Sequence, residues 1–189
     1  MSQILFNTLD LALLFTIYQC VLFIFFILLI KKGKRQSNIL LALFLFCYIA
    51  IPLDTLINFG AEFRQFAIDF SPNVFYVFGM AYWLEAVFLL FYVRSLIYND
   101  FVFKKTNLLF LVPFVLYFIY ETNAWYLLDI NTKKAILAGY QMEDEPFYTR
   151  FINLFRECFR ALCGILCVLE IRRYQKKIKD NFADIEEVD

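Results

Sequence analysis

The 189-residue sequence contains no histidine. Zinc, haem and proton-relay sites commonly use histidine, so such sites have no obvious ligands here. All cysteines fall within long apolar runs, where a free thiol behaves as a small hydrophobic side chain. They are Cys20, Cys47, Cys158, Cys163 and Cys167. We therefore expect no metal site, no cofactor and no disulfide framework.

Several functional motifs are also missing. The sequence has neither HExxH nor GxSxG, and no second deep carboxylate evidently faces Glu85, so we expect no enzymatic activity. It has no convincing internal repeat or pair of discontinuous helices, which disfavours a transporter or channel. No segment predicted to be cytoplasmic is long enough for a helix-turn-helix, so we expect no direct nucleic-acid binding by these residues.

What the chain does have is apolar sequence: 62% of residues are hydrophobic and 21% are aromatic. No soluble domain of this size needs so much apolar surface. A helix crosses a bilayer with about 20 mostly apolar residues. Five windows meet or approach that length: residues 9–30, 37–59, 74–98, 107–125 and 147–172. The predicted fold is all-α, a polytopic membrane bundle over residues 1–172 with about five transmembrane helices.

Basic residues predict the orientation of the bundle. The loops on one side and the C-terminal segment hold twelve lysines and arginines, whereas the opposite loops hold only Arg64, Lys133 and Lys134. The twelve are Lys31, Lys32, Lys34, Arg35, Arg94, Lys104, Lys105, Arg172, Arg173, Lys176, Lys177 and Lys179. Cytoplasmic loops carry the excess of Lys and Arg, so the N-terminus is predicted outside and the C-terminus in the cytoplasm. Asp10 and the lack of a basic n-region argue against a cleaved signal peptide.

Three deep charges lie in the predicted spans. At ~1.5 Å per residue, Glu85 lies ~17 Å below the outer end of its helix, and Arg156 and Arg160 lie ~14 and ~20 Å below theirs. A lone charge at mid-bilayer costs about 2.5–3.5 kcal/mol on insertion scales, which favours pairing inside the bundle. We predict that Glu85 contacts this arginine pair, directly or through a bridge.

These charges and their polar neighbours have two interpretations. One is a pocket, opening outward, that binds a small polar or anionic ligand. Its predicted ligand-binding residues are Asp54, Asn58, Tyr82, Trp83, Glu85, Arg156 and Arg160. The other is a buried ion pair that fixes helix register and binds nothing. The fourth span has no deep charge and is expected only to pack, with Glu121 and Trp125 near the outer interface.

Residues 173–189 form a predicted cytoplasmic juxtamembrane tail, basic and then acidic. Alternating a and d positions of a heptad fit Ile171, Tyr174, Ile178, Asn181, Ile185 and Val188. This pattern indicates either a signalling helix or a basic anchor on anionic lipid followed by a frayed acidic end.

Several segments resemble the multi-pass N-terminal sensor region of bacterial membrane-bound AraC/XylS-type transcription regulators. They are SNILLALF at 37–44, IPLDTLINFG at 51–60, SPN at 71–73, YWLE at 82–85, FYVRSL at 91–96 and FADIE at 182–186. The resemblance implies a sensor in the bacterial inner membrane. Family members continue into further membrane helices and a DNA-binding domain, so the chain is expected to be either a fragment or a shortened relative.

The leading hypothesis is thus a membrane sensor whose outer half binds a small molecule or a partner and whose C-terminal helix carries the signal inward. The alternative is a non-catalytic interaction or scaffold protein in which the cluster of Glu85, Arg156 and Arg160 is only structural. The expected partners are the lipid bilayer, a small ligand, and a second copy or another membrane protein.

Overall fold

The computed structural model describes residues 7–29, 33–98, 101–139 and 147–186, apart from the side chains of Ala61 and residues 181–186. The predictions that involve Ile30, Lys31, Lys32 and Val188, and those that need the side chains of Asn181 and Ile185, fall outside this part of the chain. Throughout the described residues, the regular structure is helical. The seven α-helices are α1 Thr8–Leu29, α2 Arg35–Phe59, α3 Ala61–Phe70, α4 Ala81–Ile97, α5 Val112–Glu121, α6 Ile130–Ala138 and α7 Phe147–Glu186.

Length and composition identify a membrane protein. In the described part of the chain, four helical stretches are long and apolar enough to cross a bilayer. They are Thr8–Leu29, Arg35–Phe59, Pro72–Ile97 and Lys105–Tyr126. The fifth predicted span lies in α7, which is long enough, but its apolar run is interrupted by Arg156, Glu157 and Arg160.

The long helices pack in the order α1, α2, α4 and α7, so α4 lies between two neighbours. Its side chains Val87 and Phe91 form a buried cluster with Leu40 of α2 and Cys163 of α7. In contrast, α1 contacts only α2 extensively and leaves phenylalanines such as Phe15 and Phe25 exposed. Exposed apolar side chains are the expected surface of a helix that faces lipid.

The third predicted span is not one continuous α-helix. Its first part consists of two short 3₁₀ turns, Pro72–Val74 and Phe78–Met80, and α4 begins only at Ala81. Ser71 caps the first turn by accepting a hydrogen bond from the Asn73 N–H at 3.3 Å. Between the turns Tyr76 has a φ of 66°, which breaks the helical path. The span predicted over residues 74–98 is thus matched by the helical stretch Pro72–Ile97, whose α-helical part begins only at Ala81.

Two short helices, α3 and α6, were not predicted and lie beside these turns. Ala67 of α3 and Leu137 of α6 are buried together with Phe75 and Trp125. The Trp125 indole N–H donates to the Pro72 carbonyl at 3.3 Å, and Lys133 donates to the Asn73 side chain at 2.8 Å. The non-α-helical connection is therefore held by contacts from distant parts of the chain.

The last helix, α7, runs through residue 172 without a break and continues to Glu186. Its 40 residues include both the fifth predicted span and most of the predicted tail. At ~1.5 Å per residue it is ~60 Å long, about twice the thickness of the hydrocarbon core. Over the described residues, the predicted fifth span and the predicted tail therefore form one continuous helix.

The end of the bundle that holds the last turn of α4 is basic, and we call it the basic end. Arg94 pairs with Glu170 of α7 at 3.0 Å, and the Tyr98 hydroxyl donates to the same carboxylate at 2.9 Å. Lys34 donates to the Tyr98 carbonyl at 3.3 Å, which ties the start of α2 to this group. Tyr98 lies just beyond the Pro72–Ile97 stretch, and its hydrogen bond to Glu170 raises the pKa of the phenol.

We expect Glu170→Ala to destabilise the bundle by about 3 kcal/mol, because it leaves the half-buried Arg94 without its counter-charge. Tyr98→Phe, which removes one hydrogen bond, should cost about 1 kcal/mol. Unfolding of the purified protein in detergent measures both losses. Glu62→Gln on the exposed side of α3 is the control. A Glu170→Ala loss no larger than that of the control would show that this contact does not hold α4 and α7 together.

Candidate functional site

A cavity of about 520 Å³ lies at the end of the bundle opposite the basic end. The walls come from the last turns of α2, the connection before α4, the end of α5 and the first turns of α7, with α6 at the rim. Five tyrosine and tryptophan rings line it, so we call it the aromatic cavity; they are Tyr76, Tyr82, Tyr117, Tyr120 and Trp125. Its size and mixture of aromatic and polar groups are typical of small-molecule sites.

The seven predicted ligand-binding residues divide into two groups. Asp54, Asn58, Tyr82 and Arg156 line the aromatic cavity. Trp83, Glu85 and Arg160 do not line it. The division follows from depth along α4 and α7, because the second group lies on other faces or one turn further toward the basic end.

Asp54 and Asn58 are one turn apart on α2 and so share a face. The Asn58 side-chain amide donates to the Asp54 carbonyl at 2.9 Å. The Asp54 carboxylate approaches the backbone of Gly79, where an added Cβ would lie 3.5 Å from its Oδ1 and 3.7 Å from the Tyr117 hydroxyl oxygen. The second 3₁₀ turn therefore packs directly against the Asp54 and Tyr117 side chains, at ordinary van der Waals distance.

Arg156 contributes a positive charge to the wall. The carbon of its guanidinium lies 4.7 Å from the centroid of the Tyr82 ring, a cation–π distance. Its Nε lies 3.2 Å from the carboxylate of Glu157, whose side chain is half exposed. Asp54, a partly buried acid of the cavity wall, also feels the charge of Arg156. Arg156 is thus held between an aromatic face and two carboxylates.

Glu85 is 5% exposed and forms an ion pair with Arg160. Arg160 also bonds the Glu157 carboxylate at 2.9 Å. The predicted contact between Glu85 and the arginine pair is confirmed for Arg160. Arg156 lies ~6 Å earlier along α7, at the level of Tyr82, and forms no ion pair with Glu85 among the described residues.

Trp83 packs rather than lining the cavity. It is 3% exposed and lies between the Tyr117 ring, at 5.4 Å, and the Phe155 ring, at 6.0 Å. Its indole N–H is the one buried side-chain donor that has no hydrogen-bond partner among the described residues. It therefore carries a small energetic cost at the junction of α4, α5 and α7.

The fourth span contributes residues that the sequence did not single out. The expectation that it only packs was wrong, because Tyr117, Tyr120 and Glu121 all line the aromatic cavity. Glu121 and Trp125, which were expected near the outer interface, are 6% and 4% exposed. The available signal was the spacing of Tyr117 and Glu121, which are four apart and share a face of α5.

Metal binding has no geometric support among the described residues, since no group of three or more Cys, Asp or Glu side chains could hold an ion there. The aromatic cavity contains instead two carboxylates, two guanidinium groups and several phenols. This set can bind charged and polar groups of a small molecule by ion pairs, hydrogen bonds and cation–π contacts.

We expect Glu85→Gln to destabilise the protein because it removes the buried counter-charge of Arg160 and leaves that guanidinium with the half-exposed Glu157 alone. Adding Arg160→Gln should cost little more, giving a coupling energy of about 1–3 kcal/mol. The matched control combines Glu85→Gln with Arg156→Gln, whose effects should add because Arg156 lies over Tyr82 instead. Thermal or denaturant unfolding in detergent measures the three combinations. Additive losses for Glu85 and Arg160 would contradict the pairing.

Comparisons with models of protein families, with curated proteins and with solved structures found no match. The function is therefore argued from the geometry of the aromatic cavity and of the helices that form it.

Proposed function

We propose that the chain is an integral membrane sensor module that binds a small ligand in the aromatic cavity and transmits the bound state through α7. One observation carries this proposal. Thr149, Asn153 and Arg156 of α7 line the cavity, and the same helix continues unbroken to Glu186. A ligand that shifts the first turns of α7 acts on the element that forms the tail.

The proposed topology has five spans, with the N-terminus and the aromatic cavity outside. It is supported by the gathering of Lys34, Arg94 and Arg173 at the end remote from the cavity, in agreement with the cytoplasmic excess of basic residues. The fifth span is α7 between residues 147 and 172, which packs on α4 and leaves Leu162, Ile165 and other apolar side chains exposed to lipid.

The proposed setting is the bacterial inner membrane, by resemblance to membrane-bound AraC/XylS-type regulators. In this proposal the described residues contribute the sensor function and no contact with nucleic acid. The proposed role is binding and not catalysis, because the cavity offers charged and aromatic contacts suited to holding a ligand.

A second role, that of an interaction or scaffold subunit, is favoured by one specific observation. Glu85 and Arg160 pair with each other away from the aromatic cavity, as a register-fixing contact between α4 and α7 would. The two proposed roles differ in the function of Arg156. Arg160 stabilises the bundle in both the sensor and the scaffold, whereas Arg156 binds a ligand only in the sensor.

A thermal-shift screen of the purified chain against small anions, amino acids and amines tests the sensor role. We expect a stabilising compound whose effect disappears in Arg156→Ala, because that change removes a charge from the cavity wall. Arg150→Ala is the matched control, since Arg150 is exposed on the same helix and does not line the cavity. A flat screen, with Arg156→Ala merely less stable, would favour the scaffold role.

Cysteine labelling tests the topology. In a cysteine-free variant, Lys134→Cys on α6 should react with a membrane-impermeant maleimide from outside intact cells, and Lys177→Cys on α7 should react only after permeabilisation. Both lysines are exposed, so accessibility reports the side of the membrane. The reverse pattern would overturn the proposed orientation.

A further inference from the structure

Glu121 is a buried acid in the wall of the aromatic cavity. It is 6% exposed, it lines the cavity, and it takes part in none of the ion pairs formed by the described residues. The Tyr117 hydroxyl and a second acid of the cavity wall, Asp54, act electrostatically on its carboxylate. A buried carboxylate beside another carboxylate favours a positively charged partner.

The cationic side chains of the wall already have partners elsewhere. Arg156 lies over Tyr82 and is paired with Glu157. Arg64 donates to the carbonyl oxygens of Asn58 and Leu137 at 3.0 and 3.2 Å, and its guanidinium lies over the Phe75 ring. Neither arginine forms an ion pair with Glu121 among the described residues, so Glu121 lacks the positive neighbour that Arg156 provides for Asp54.

Aromatic rings surround the same acidic side. Tyr117 and Tyr120 have ring centroids 6.3 Å apart, and Tyr76 meets Trp125 edge-on at 5.0 Å. All four rings line the cavity. The face of an aromatic ring attracts a cation that has lost its water, and an organic ammonium leaves water at a lower cost than a bare metal ion does.

We propose that the aromatic cavity binds a small organic cation, a primary or quaternary ammonium compound, with its nitrogen between the carboxylates of Glu121 and Asp54 and against the surrounding rings. This inference rests on the proposed sensor function and narrows its ligand class. It replaces the small polar or anionic ligand expected from the sequence, because Arg156 and Arg64 already have partners whereas Glu121 has no cationic partner among the described residues. The cavity of about 520 Å³ has room for a molecule of this kind.

Two probe molecules that differ only in charge measure how much the positive charge of a ligand contributes to binding. Choline and 3,3-dimethylbutan-1-ol have nearly the same shape, but only choline carries a positive nitrogen. We expect choline or methylammonium to bind the purified full chain in nanodiscs at least tenfold more tightly than the neutral alcohol does. Calorimetric titration and thermal shift at constant ionic strength measure this ratio, with sodium chloride and sodium acetate as further probes.

Two cavity variants and one control locate the site. Glu121→Gln should weaken choline binding at least tenfold, because it removes the uncompensated charge. Tyr120→Leu keeps both carboxylates but removes a ring, so it should weaken binding severalfold and also serves if Glu121→Gln does not fold. Glu62→Gln, on an exposed carboxylate outside the cavity, should bind choline as the unmodified chain does.

Each other outcome overturns the inference in a distinguishable way. Equal binding of choline and the neutral alcohol would show an apolar cavity that ignores charge. Saturation by sodium chloride alone would show an inorganic cation site. Acetate binding that is lost in Arg156→Ala, without choline binding, would leave the sensor function standing with an anionic ligand. Binding of no probe and of no compound in the broader screen would remove the sensor function as well.

Discussion

The cost of a charge inside the membrane is the constraint on which the arrangement of α4 and α7 depends. Glu85 is buried, so its partner must come from a neighbouring helix, and Arg160 supplies it. Once this pair is fixed, the parallel course of the two helices brings Arg156 over Tyr82 on one side and Glu170 to Arg94 on the other. Glu85 and Arg94 are ~14 Å apart along α4, and their partners are ~15 Å apart along α7. The contacts therefore form one consistent register.

The aromatic cavity is a consequence of where α4 begins. Since residues 72–80 form two 3₁₀ turns and not a full α-helix, the end of the bundle opposite Arg94 is not closed by close helix packing. The short helices α3 and α6 cover the connection, and the end of α5 fills one side with Tyr117 and Glu121. The break in the third span thus creates the room in which polar and aromatic groups from distant segments meet.

The positions of the long helices could be predicted from the sequence, because they depend on hydrophobicity averaged over many residues. The break in the third span could not, because it depends on the backbone angles of single residues. Apolar runs located the long helices because bilayer thickness sets their length, and depth counting located the partner of Glu85 because a buried charge has few choices. The break near Tyr76 carried no such signal, since a non-glycine residue with positive φ is maintained by surrounding contacts. The burial of Glu121 could not be predicted from its own helix, because it depends on α2 and on the connection before α4, which are distant in sequence.

In the proposed sensor, the contacts of α7 determine what a bound ligand can change. Near the cavity the helix is held by Arg156 over Tyr82, and near the basic end it is held by Glu170 between Arg94 and Tyr98. The second contact uses two donors on one carboxylate and resists rotation more than the first, which is a single ring face. A ligand that competes for Arg156 or Asp54 would therefore tilt the cavity end of α7 about the Glu170 contact. Because the helix is continuous, the same tilt moves the tail beyond Arg173 in the opposite direction, with no separate hinge between cavity and tail.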